Sequence, residues 1–67
     1  MIKLIKKENA TLTYFVSAEE PLLQMMFNAL ILFSKKIGAI HHTINGKIIE
    51  IYCPNSEVAK KMELFEL

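Results

Sequence analysis

The hydrophobic pattern changes period along this chain of 67 residues, and each change predicts a different element. Apolar and polar residues alternate over 2–7 and again over 11–16, the rhythm of half-buried strands. The stretch from Thr11 to Val16 is rich in β-branched and aromatic types, which fit a pleated surface. A three-residue loop, Glu8-Asn9-Ala10, pairs Leu4 with Tyr14 and Ile2 with Val16. That register gathers Ile2, Leu4, Leu12, Tyr14 and Val16 on one face. Lys3, Ile5, Lys7, Thr11, Thr13 and Phe15 take the other.

From Glu20 to Ile37 the pattern becomes helical and almost entirely apolar. At ~100° per residue, Glu20, Gln24, Asn28 and Lys35 form a polar stripe about 80° wide. The apolar arc from Leu32 round to Phe27 covers roughly 220° by the same arithmetic. A helix lying on one sheet needs an apolar stripe of only ~100° or somewhat more. The excess predicts a protein-facing surface around Phe27, Ile31, Leu32, Leu23 and Met25. Ser17 and Glu20 have capping-box spacing, with Pro21 at the first helical position as the alternative start. Lys35 and Lys36 complement the dipole at the far end, and Gly38 can end the helix in the left-handed conformation.

Asn45-Gly46 between two apolar runs predicts a hairpin with a two-residue type I′ turn. Its register pairs Ile44 with Lys47, His42 with Ile49 and His41 with Glu50. Ile40, His42, Ile44, Ile49, Ile51 and Cys53 then share one face, and His41, Thr43, Ile48, Glu50 and Tyr52 share the other. Pro54 stops the strand, and Asn55 or Ser56 caps a short helix carrying Val58, Ala59, Met62 and Phe65. The expected architecture is a single α+β domain over 1–67 with the order ββαββα. Its four-stranded, mainly antiparallel sheet carries one long and one short helix on one face.

Composition narrows the function. A chain this short is near the lower limit for independent folding and is often steadied by a disulfide, a metal or oligomerisation. With a single cysteine there is no intrachain disulfide framework, and a reducing, cytoplasmic setting is expected. All eight basic residues are lysines, and the net charge is only +1, too small to steer polyanions. The apolar run from Leu22 to Phe33 falls short of the ~20 residues that cross a bilayer, so no membrane span is expected.

Candidate chemistry is sparse. His41 and His42 are possible metal ligands, but neighbours on a strand point to opposite faces and do not readily share an ion. Cys53 acts as a nucleophile only with a base in reach, and His42 stands far along the hairpin. There is no paired-carboxylate cluster, glycine-rich phosphate loop or CxxC motif. These residues predict no catalytic, cofactor-binding or metal site, with a metal- or thiol-dependent enzyme as the remote alternative. Lys3, Lys7, Phe15, His41 and Tyr52, on the face away from the helices, form a candidate nucleic-acid surface, since lysines hold phosphates and aromatic rings stack bases. Glu50 in their midst and the lack of arginine weigh against it.

Two segments resemble a known family. Thr11 to Glu20, running into the apolar helix, resembles the opening strand, acidic turn and first helix of the small dimerisation subunit of the KEOPS tRNA-modification complex. Ile44 to Ala59 resembles its tight hairpin and capped second helix. The final helix here is shorter than in that family and carries no arginine. The strand-strand-helix opening is also similar to the small assembly subunit of archaeal-type RNA polymerase, without its His-Pro segment. Both resemblances imply dimerisation and scaffolding of larger machines. A non-catalytic assembly protein is therefore expected, a homo-oligomer (a dimer first) or a module docked on a larger protein. A small nucleic-acid-binding protein is the alternative.

Overall fold

A computed structural model describes residues 1–65. The elements follow the order β1 (Ile2–Glu8), β2 (Thr11–Val16), α1 (Leu22–Ile37), β3 (His41–Asn45), β4 (Ile48–Tyr52) and α2 (Ser56–Met62). The strands form one antiparallel sheet in the order β1-β2-β4-β3, with β1 and β3 at its edges. This is the expected ββαββα architecture. Both helices cover the face bearing Leu12, Tyr14, Val16, Ile49 and Ile51, which pack with Leu23, Phe27, Leu30, Cys53, Ala59 and Met62 as the core.

The first hairpin keeps the expected Ile2–Val16 and Leu4–Tyr14 pairs but reaches them differently. Asn9 adopts a positive φ of 56°, which asparagine tolerates better than most residues. The loop shortens to Asn9-Ala10, and Glu8 pairs with Thr11. A β-bulge between Leu4 and Lys6 absorbs the residue this frees. Such a bulge lets the tight turn and the apolar pairing coexist. Beyond it the odd–even rule reverses. Lys6 stands opposite Thr13 on the open face, whereas Lys7 stands opposite Leu12 and pairs with Glu63 at the end of α2.

The second hairpin turns one residue later than Asn45-Gly46. Asn45 pairs with Ile48, leaving Gly46-Lys47 as the loop. Gly46 has φ +63° while Lys47 is not among the positive-φ residues. Glycine at the first central position is the type II′ pattern. Each strand residue moves two places along its partner, so the faces stay as expected. The partners change: His41 faces Tyr52, His42 faces Ile51 and Thr43 faces Glu50.

Neither expected start of α1 is used. Pro21 is the N-cap and no side chain caps the helix. Ser17 instead is tied to the chain's beginning, its N–H donating to the Met1 carbonyl. The far end is as expected, with Gly38 left-handed at φ 106°. The N–H groups of Gly38 and Ala39 reach the carbonyls of Lys35 and Ser34, the double bond of a Schellman motif. Asn55 caps α2 by accepting the Val58 N–H at 3.0 Å.

Candidate functional site

The buried line of α1 runs through Leu23, Phe27, Leu30 and Ser34. On a helical wheel its centre lies about 80° from the centre of the apolar arc. Ser34 lies on that line with its hydroxyl donating to the Ile31 carbonyl at 2.7 Å, so it enters the core satisfied. Met26 and Phe33 sit half-buried on one flank, Phe33 with its ring 5.1 Å from that of Phe65. Ile31 is half-buried on the other. The unused part of the arc points straight into solvent.

This rotation corrects the expected interface. Phe27 and Leu23 are 3% and 9% exposed and belong to the core. Ile31 packs partly against it. Met25 and Leu32, at 62% and 69% exposed, lie on the outer side together with Leu22 at 48%. Leu22 was not among the expected interface residues. Its signal was the 3–4 spacing Leu22, Met25, Ala29, Leu32, the seam along which helices pair, hidden within a longer apolar run. Gln24 and Asn28, joined by a 3.0 Å hydrogen bond, border the strip on one side. Lys35 and Lys36 end it, and Glu19 and Glu20 precede it.

The open face of the sheet has three cross-strand rows. Lys3, Phe15, Ile48 and Asn45 form the first, Lys6, Thr13, Glu50 and Thr43 the second, and Glu8, Thr11, Tyr52 and His41 the third. Of the candidate nucleic-acid residues, Lys3 lies beside Phe15, and His41 beside Tyr52 with ring centres 5.4 Å apart. Lys7 is on the opposite face, displaced by the bulge, and this corrects its expected place. The Glu50 row separates the two remaining pairs. Glu50 accepts hydrogen bonds from the hydroxyls of Tyr52 at 2.9 Å and Thr43 at 3.3 Å. His41 therefore meets Tyr52 where Glu50 was expected. Lys6 and Glu8 form an ion pair on this face. With Thr13, Glu50 and Tyr52 they line an open depression of about 170 Å³.

Cys53 and Tyr14 are both buried. Burial pushes the Cys53 thiol up, away from the thiolate that nucleophilic chemistry uses. Burial also raises the Tyr14 phenol, with the charges of Cys53 and Glu63 adding to the effect. His41 and His42 sit on the edge strand with ring centres 6.3 Å apart. Among the described residues, no three His, Cys, Asp or Glu side chains converge as a metal site. No helix among them is long and apolar enough to cross a membrane.

No protein-family model matches the chain, and no curated protein and no solved structure was found to be similar to it.

Proposed function

We propose that this chain is a non-catalytic assembly protein that works in the cytoplasm by associating with itself through the outer strip of α1. One observation carries the reading. Leu22, Met25 and Leu32 stand exposed on one line of a rigid helix whose opposite side is anchored in the core. Apolar side chains aligned in this way mark protein contacts, and scattered ones do not. The chain's small size supports association as a source of stability. The resemblance of Thr11–Glu20 and Ile44–Ala59 to scaffold subunits leans the same way. A protonated, buried thiol and histidines held on an edge strand lend catalysis no support. Nucleic-acid binding draws little from an open face where Glu8 and Glu50 offset Lys3 and Lys6.

Sedimentation velocity from about 1 to several hundred micromolar tests the reading. A concentration-dependent dimer that Leu32→Glu dissociates is expected. A strict monomer across that range would overturn self-association and assign the strip to a different protein.

A further inference from the structure

The geometry points to a second copy of this chain lying antiparallel along α1, with a two-fold axis crossing between Met25 and Ala29. This rests on the outer strip of α1 being the self-association surface and adds its occupant and its sense. Three features agree. The strip is symmetric about its midpoint, so reversal sets Leu22 against Leu32 and Met25 against Ala29. The bulky thioether thus faces the smallest member of the strip, which lets the helices approach closely. The alternation of the two heptad positions across the interface is the layer pattern of antiparallel helix pairs.

Charge selects the same sense. Glu19 and Glu20 lie just ahead of the helix, and Lys35 and Lys36 occupy its last turn. Antiparallel pairing lays the acidic end of each copy against the basic end of the other, twice by symmetry. Parallel pairing sets lysines beside lysines and glutamates beside glutamates. Glu19 already reaches Lys47 at 2.6 Å. Glu20, Lys35 and Lys36 make no ion pair within the chain among the described residues. The backbone dipoles favour the same arrangement, since each helix start then adjoins a helix end. A contact confined to one helix per subunit is short of the ~800 Å² a side found in stable complexes. A pair of that size belongs with the transient interfaces, whose subunits exchange with the free form.

Charge exchange and cross-linking test the sense of the pair. Glu20→Lys and Lys36→Glu should each weaken the dimer about 3- to 10-fold, the weight of an exposed ion pair occurring twice. The double variant should return to within about twofold of the parent, and salt should erase the differences. In a Cys53→Ser background, proteins bearing Glu20→Cys and Lys36→Cys are mixed with a short bismaleimide. Cross-links are expected between the two variants and not within either one. Two copies of position 36 lie about 27 Å apart in the antiparallel pair. A dimer that cross-links Lys36→Cys to itself, or that the double exchange fails to restore, overturns the antiparallel sense and leaves self-association standing. A strict monomer, or a dimer indifferent to Leu32→Glu, overturns both. Circular dichroism of each variant separates lost pairing from lost folding.

Discussion

The hydroxyl of Tyr14 donates to the carbonyl oxygen of Met62 at 3.1 Å, inside the core. This bond fastens the last turn of α2 to the central strand β2. Tyr14→Phe keeps the ring and leaves the Met62 carbonyl without that partner. Removing such a bond costs about 1 kcal/mol, which in a domain of this size lowers Tm by about 4–8 °C. Thermal denaturation followed by circular dichroism checks it. An unchanged Tm would mean that water replaces the phenol.

Stability should be limited on the alkaline side. Both Tyr14 and Cys53 hold their protons more tightly in the folded chain than an exposed phenol or thiol does. The unfolded chain thus binds fewer protons at high pH, and stability falls as pH rises. The contribution is complete below the ordinary thiol range near pH 8.5 and is lost progressively above it, through Cys53 first and then Tyr14 beyond about pH 10. Urea midpoints measured from about pH 7 to 11 should decline accordingly. Cys53→Ala should flatten the early part of the decline and Tyr14→Phe the late part.

The rotation of α1 makes two neighbouring residues behave oppositely. Phe27→Ala opens a cavity beneath the helix and should cost about 3–5 kcal/mol, a large part of the stability of so small a domain. Met25→Gln alters the exposed strip and should change monomer stability by no more than about 0.5 kcal/mol. Urea titrations at concentrations where the protein is monomeric compare the two. Equal costs would place Met25 in the core and discard the proposed surface.

Asn55 holds the start of α2 through a single side-chain bond to Val58. Asn55→Ala should cost about 1 kcal/mol, and Asn55→Asp should retain most of the stability because aspartate caps equally well. A chemical denaturation series of the three proteins distinguishes a capping role from a mere surface position.

Much of the fold was legible because local chemistry and burial agreed. Asn55 before a short helix, Gly38 after a long one and a glycine turn between apolar runs each stand where their residue types lead one to look. The departures arise where two preferences compete. Asn9 can take a positive φ, so the first loop tightens, while Ile2 and Leu4 still demand burial. The bulge reconciles them, and no glycine marks it in advance. At Gly46 two adjacent turns were chemically acceptable, and the one with glycine first prevailed. In α1, hydropathy counts Ser34 as polar, although a bond to its own helix lets it enter the core. With Ser34 on the buried line, Phe27 and Leu23 leave the expected surface for the core, Met25 and Leu32 stay on it, and Leu22 joins them. The exposed strip was visible as spacing, but its direction depended on tertiary packing.

The bulge in β1 also sets how the sheet can meet another sheet. Its edge is kinked and carries Lys3, Lys6 and Lys7, features that repel an incoming strand. The opposite edge, His41–Asn45, has no lysine, proline or bulge. Of the two sheet edges, the β3 edge is therefore the one less guarded against an added strand. Two copies joined at β3 would turn both kinked, lysine-lined edges outward. Lysines and a kink on one edge are the features by which sheets discourage edge-to-edge growth.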